Sequence, residues 1–166
     1  MKNEATRRIG AVVMVRNQDG EVLMAETHYR KGLQLPGGAV HQGEQIADGA
    51  MRELAEETGL RRVIEFHLGV DQIPANPSSG ACEGFNFICD GGFASAEEVD
   101  ALKRQGVPIG ARDEIKAFAW VPLSELDDLA EPYMAARVRA AVQIADSGLR
   151  QPLLYIGRSA TERHAA

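Results

Sequence analysis

The chain reads as one α+β domain, a mixed β-sheet sandwiched between helices. Three observations predict this. Runs of β-branched and aliphatic residues mix with helical segments without strict alternation, which argues against a regularly repeating β-α unit. The N-terminal third carries a clear hairpin signal. A long C-terminal segment repeats apolar residues at helical spacing. At 166 residues, 45% hydrophobic and 25% charged, the chain has the size and make-up of a single soluble globular domain. No repeats, low-complexity tracts or linkers divide it, so one domain is expected over 1–166, with flexible tails over 1–6 and 158–166.

Ile9 to Arg16 and Val22 to Thr27 are the first two expected strands, and Asn17-Gln18-Asp19-Gly20 joins them as a hairpin turn. Leu33 to Pro36 and Ala39-Val40 read as short strands broken by Gly37-Gly38, where glycine lets the backbone approach a ligand closely.

The next stretch, Gly38 to Leu60, organises the rest. It reads as a loop feeding a helix, with Glu44 near the positive N-terminal end and Gly59 as a left-handed C-terminal cap. At about 100° per residue, with Glu53 at 0°, Glu57 falls near 40° and Glu56 near 300°. Ile46, Ala50, Leu54 and Ala47 fall at roughly 20°, 60°, 100° and 120°. Glu53 and Glu57 therefore border the buried stripe. A solvated face with Arg52 paired to Glu56 at i, i+4 accounts for Glu56 but not for the other two, because like charges three and four apart repel. Crowded carboxylates at a core edge call for a cation, and Mg²⁺ commonly takes a few carboxylates plus substrate phosphates. Gly49 inside the helix costs up to about 1 kcal/mol against Ala and is expected where the helix packs closely on the sheet.

Gly38, Glu44, Arg52, Glu53, Leu54, Glu56, Glu57, Gly59 and Leu60 fill all nine specified positions of the signature box of the Nudix hydrolases, which this stretch resembles. The preceding Leu35-Pro36-Gly37 also suits that family. A chance match has a probability on the order of 10⁻⁹ per window.

The resemblance implies the Nudix fold, an α/β/α sandwich, and metal-dependent hydrolysis of a nucleoside diphosphate linked to another moiety X. It implies Mg²⁺ or Mn²⁺ held by Glu53, Glu56 and Glu57 with a backbone carbonyl of Gly37 or Gly38. Arg52 and Glu44 belong to the same catalytic set, Arg52 pairing with Glu44 or Glu56 to orient the ligands. Glu114, an acidic residue before a Trp-containing strand, is implied as a further ligand or general base, with solvation in a loop as its alternative. Arg30 and Lys31 stand before the glycine loop as candidate phosphate contacts, with solvated loop cations as the commoner alternative. A nucleoside triphosphate or nucleotide sugar is the leading substrate, since the extra motifs of coenzyme A and cap-reading subgroups do not occur here. Pro74 and Pro77 lie near the place where ADP-ribose hydrolases carry a proline, and no tyrosine stands where diadenosine polyphosphate enzymes carry one. The alternatives are a catalytically inactive Nudix-fold sensor, which usually shows a damaged box, and a hydrolase of a non-nucleotide diphosphate, left open by an aromatic content of 5%. Relatives commonly form homodimers.

Beyond the box, Val63 to Ile73 and Cys82 to Cys89 read as strands separated by the loop Pro74 to Gly80. Phe85 and Phe87 point one way, toward the core. Cys82 and Cys89 are expected as free buried thiols of a reducing cytoplasm. Ser95, followed by Glu97 and Glu98, starts a helix to Arg104 that Gly106 and Pro108 end. Ile115 to Val121 is a strand, Leu123 to Asp127 a short helix, and Pro132 to Ser147 a long one with Met134, Val138, Ala141 and Ile144 as its core stripe. A net charge of −6 argues against a nucleic-acid polymer as partner but allows a small phosphorylated ligand with bound metal. No segment has the features of a signal peptide or a membrane span, so a cytoplasmic location is expected. His28, His41, His67 and His164 show no paired-ligand spacing; His41, in the loop of the box, is read as an exposed loop residue, with a functional role as the alternative.

Overall fold

The computed structural model describes residues 7–78, 80 and 82–160. Nine strands and four helices follow in the order β1 (Arg8–Arg16), β2 (Val22–Thr27), β3 (Gly37–Ala39), α1 (Ile46–Thr58), β4 (Phe66–Ile73), β5 (Gly84–Phe93), α2 (Ala96–Gln105), β6 (Ile115–Val121), α3 (Leu126–Leu129), α4 (Pro132–Asp146), β7 (Gln151–Pro152), β8 (Leu154–Tyr155) and β9 (Arg158–Ser159). The main sheet runs β6-β2-β1-β5-β4-β7, with β3 also paired to β1. It is mixed: β1 and β5 are parallel, and the β1·β2, β1·β3, β2·β6 and β4·β5 pairs are antiparallel.

The two faces of β1 explain the sandwich. Ala11, Val13 and Val15 join Ala47, Ala50, Leu54, Ile64 and Cys89 in one apolar cluster that α1 covers. Val12 and Met14 join Met24, Leu126, Met134, Val138 and Ala141 in the other, which α4 covers. A strand buried on both faces reads as a continuous aliphatic run, and Ala11 to Val15 is one. The expected helical stripe on α4 is in place: Met134, Val138 and Ala141 are buried and Ile144 is partly buried against the same cluster. Within that helix Arg137 is also buried, its Nη2 lying 2.8 Å from Asp71 of β4 and its guanidinium over the Tyr133 ring.

Several elements depart from the sequence reading. Gly37 and Gly38 do not break a strand; they form β3, pairing with Val12 and Ala11. Gly37 has φ +136°, and a Cβ there would stand 2.6 Å from Val12 Cα, so only glycine permits this pairing. Leu33 to Pro36 contributes one isolated bridge, Gln34 to Ala25, instead of a strand. Gly49 is explained by the loop rather than by the sheet, since a Cβ would meet Glu44 and Val40 at 3.1 and 3.2 Å. Cys82 precedes β5 and is exposed, while Cys89 is buried and its thiol pKa is pushed up to about 12 by burial. Phe87 is half-buried and packs against the apolar cluster under α1 as expected, whereas Phe85 is half-buried beneath the Arg7 guanidinium, and Asn86 between them is buried. Arg158 and Ser159, expected in a tail, pair with β8, and Ala160 is buried. The expectations for residues 1–6 and 161–166, His164 included, lie outside the described residues. No helix among the described residues is long and apolar enough to cross a membrane.

Candidate active site

Helix α1 places the site. Its apolar face, Ala47, Ala50 and Leu54, is buried against β1, and its C-terminus closes on Gly59 at φ +80° with an N–H donated to Ala55 O. That seating carries Glu57 into the protein until it is 7% exposed, with Glu53 half-buried beside it and Glu56 on the outer flank. The angular reading of the sequence, two carboxylates at the stripe's edge and one beyond it, holds.

Strand β3 supplies the opposing wall. The Gly37 N–H donates to Glu57 Oε2 at 2.8 Å. A Cβ on Gly38 would lie 2.7 Å from Glu53 Oε2, so the missing side chain is what lets that carboxylate approach the backbone. A cavity of about 280 Å³ opens here, lined by His41, Arg52, Glu53, Glu56, Glu57, Gly110, Ala111 and Glu114. Glu114 comes from the turn just before β6, held by its carbonyl, which accepts from the His28 N–H at 2.9 Å, and by its own N–H donated to Ala111 O.

Charge in the cavity is unevenly balanced. Arg52 answers part of it: Nε and Nη2 grip Glu44 at 2.8 and 2.9 Å, Nη1 reaches Glu53 at 2.8 Å and Glu56 at 3.2 Å, and Nη2 also donates to Ala39 O. Glu44 is drawn down to a pKa of about 2, first by its hydrogen bond to Arg52. The same bond raises the proton affinity of Arg52. Arg52 pairs with Glu44 and Glu56 together, where the sequence offered either, and adds Glu53. Among the described residues no cationic side chain pairs with Glu57. Burial raises its pKa to about 7, the Gly37 N–H opposes that rise, and the charges of Glu53, Glu114 and Glu56 add to it.

The oxygen-only donor set, with the pKa of one carboxylate raised by burial first and by its anionic neighbours next, suits a hard divalent cation better than a soft one. Among the described residues no three His, Cys, Asp or Glu side chains are already gathered on one metal position. Arg52 holds Glu53 and Glu56 in this arrangement.

Glu44, Arg52, Glu53, Glu56, Glu57 and Glu114, named from the sequence, are thus brought together around one cavity and its border. Arg30 and Lys31 are not on its wall. The chain after Lys31 turns toward α3, with Leu33 N–H donating to Leu129 O, and Lys31 lies 3.4 Å from Glu131. Arg30 packs over the Tyr29 ring. His41 is exposed, as expected of a loop residue, and also lines the cavity, as do Gly110 and Ala111 of a short 3-10 turn. That turn follows Pro108, and its position could not be read because it depends on contact with α1, far off in sequence.

A family model described as NUDIX domain matches residues 6–142. Nudix hydrolase 2 of Arabidopsis thaliana is 31% identical over 127 residues, 73% of this chain and 41% of that protein. An RNA pyrophosphohydrolase of Sphingopyxis alaskensis is 28% identical over 149 residues, 80% of this chain and 89% of that one. The chain spans less than half the length of several of the curated relatives it matches. Among solved structures, the MutT protein of Methanosarcina mazei Go1 superposes with a TM-score of 0.65 at 22% identity, covering 87% of this chain and 97% of that one. The helix-and-glycine-strand site thus sits in the fold of the relatives, and the chain belongs to the Nudix hydrolase family.

Proposed function

We propose that the protein is a metal-dependent pyrophosphohydrolase that cleaves a nucleoside diphosphate linked to another moiety X. A nucleoside triphosphate or a nucleotide sugar is the leading substrate. The observation that carries this is the convergence of Glu53, Glu56, Glu57 and Glu114 on one cavity, with Glu57 buried and, among the described residues, paired with no cationic side chain. The names of the relatives support the reaction class, and a solved UDP-X diphosphatase shares the fold at a TM-score of 0.61.

Glu53, Glu56 and Glu57, with a carbonyl of Gly37 or Gly38, would hold Mg²⁺ or Mn²⁺. When bound, such a cation lowers the pKa of water and offsets charge on the diphosphate and on the leaving phosphate. The protein's own groups do the rest. Arg52 ties Glu53 and Glu56 to Glu44 at the border of the cavity, and those two carboxylates would turn from the guanidinium toward the cation as it binds. Water attacks phosphorus, the bond to the bridging oxygen breaks, and a carboxylate of this set or Glu114 takes the water's proton. Glu114, exposed on the wall opposite α1, can meet solvent directly. No covalent intermediate is required.

The test is product release from nucleoside triphosphates, nucleotide sugars, ADP-ribose and dinucleoside polyphosphates, with Mg²⁺ and with Mn²⁺, for native protein and Glu57→Gln. Turnover that falls by orders of magnitude in the variant supports the reading. Equal, background-level rates on every compound sink it.

A further inference from the structure

Four aromatic side chains among the described residues are largely exposed: Tyr29 at 63%, Phe93 at 54%, Tyr155 at 48% and Tyr133 at 44%. Three are placed away from the acidic cavity. Phe93 lies 4.6 Å from the Arg16 guanidinium, Tyr133 donates its hydroxyl to Gln34, and Tyr155 belongs to the β8–β9 hairpin. Tyr29 does not line the cavity either, but the sheet register sets it beside the residue bonded to Glu114, which does.

Strands β2 and β6 pair to Thr27 and Ile115. One residue on, the His28 N–H donates to Glu114 O at 2.9 Å, and His28 Nε2 lies 3.1 Å from Arg112 O. Tyr29 therefore follows directly on the residue bound to Glu114, whose side chain lines the cavity. The Arg30 N–H donates to Thr27 Oγ1 at 3.1 Å and pins the turn from its other end. The phenol's pKa is raised by partial burial first and then by Glu114, against the pull of Arg30, with Glu57 and Glu53 adding to the rise. Those three carboxylates all line the cavity. The Arg30 guanidinium lies 5.8 Å from the ring centroid, a cation against a π-face.

We propose that Tyr29 is the base-stacking platform of this site, its ring holding the nucleobase of a nucleoside diphosphate whose phosphates lie at the acidic cavity. The inference rests on the pyrophosphohydrolase reading for the place of the phosphates. An exposed ring on a turn whose backbone is held on both sides offers a flat face to a base, and such a contact typically accounts for about fivefold to a hundredfold in affinity. Arg30 adds positive charge where an anionic nucleotide would pass. The same placement explains why Arg30 does not line the cavity itself: it backs the platform.

The experiment compares ADP with inorganic pyrophosphate, each titrated calorimetrically in Mg²⁺ into native protein, Tyr29→Phe and Tyr29→Ala. The expected result is about a tenfold rise in the ADP dissociation constant for Tyr29→Ala, with Tyr29→Phe within about twofold of native. The pyrophosphate constant is expected to stay within about twofold throughout. An equal loss for both ligands in Tyr29→Ala, no loss for ADP, or native protein that binds pyrophosphate but not ADP, or neither, overturns the assignment. Failure of the enzymatic reading is separate. Ring-dependent ADP binding without turnover on any compound would leave Tyr29 as the platform and make the domain a nucleotide sensor.

Discussion

Replacing Glu57 by Gln should make the metal-free protein more stable while removing its activity. In the folded chain the Glu57 carboxyl titrates at about 7 against an ordinary value of 4.5, because it is buried and faces Glu53, Glu114 and Glu56. The folded state therefore holds the proton more tightly than the unfolded one. Stability from this group is fully present below pH 4.5 and is lost as pH rises through about 7. The difference of roughly 2.5 pKa units corresponds to at most about 3 kcal/mol at pH 8. Glutamine cannot ionise, and its carbonyl can still accept the Gly37 N–H, so the variant escapes the penalty and keeps the bond. Urea denaturation in EDTA at pH 5, 6, 7 and 8 measures this. The account predicts a variant more stable than native by about 2–3 kcal/mol at pH 8, with the gap closing toward pH 5. Mg²⁺ should then stabilise native protein more than the variant, because binding to the folded state alone raises stability. A variant no more stable than native at pH 8, or a gap that does not shrink on acidification, would refute the charge-crowding argument.

Three further predictions follow from particular contacts. Gly37→Ala puts a Cβ 2.6 Å from Val12 Cα at φ +136°, so denaturation should show a loss of about 3 kcal/mol or more, or no folded protein. Arg52→Lys keeps the charge but cannot span Glu44, Glu53, Glu56 and the Ala39 carbonyl, and Mg²⁺ titrations of activity should show a drop of about 10–100-fold in metal affinity or rate. Asp71→Ala strips the buried Arg137 of its carboxylate. Chemical denaturation should show a loss of about 2 kcal/mol, smaller than for a fully enclosed pair because the Asp71 side chain is 36% exposed.

Features set by local chemistry were legible in the sequence. The β2 and β6 boundaries, Val22 to Thr27 and Ile115 to Val121, were read residue for residue, since β-branched runs between clear turn signals leave little choice. Ser95 starts α2 as expected, and its side chain also closes a reciprocal cap with Glu98. The acidic helix α1 was legible because helical geometry fixes where Glu53, Glu56 and Glu57 stand relative to Ala50 and Leu54. Features set by distant pairing were not. Gly37 and Gly38 look like strand breakers until β1 lies beside them, and Cys82 looks buried until β5 is seen to begin at Gly84. Arg30 and Lys31 carry the right charge for phosphate, but the chain's turn toward Leu129 takes them off the cavity wall. Tyr29 gave no local signal; its position depends on the β2–β6 register. The hairpin of Leu154 to Ser159 was also missed, because strands of two residues have no periodicity to read.

The central claim is water attack at phosphorus in the acidic cavity, and hydrolysis of the nucleotide panel in ¹⁸O-labelled water tests it most directly. Native protein with Mg²⁺ should place the label in one of the two phosphate-bearing products, with no turnover in EDTA. Turnover unaffected by EDTA, label found outside phosphate, or no hydrolysis of any compound would contradict the account.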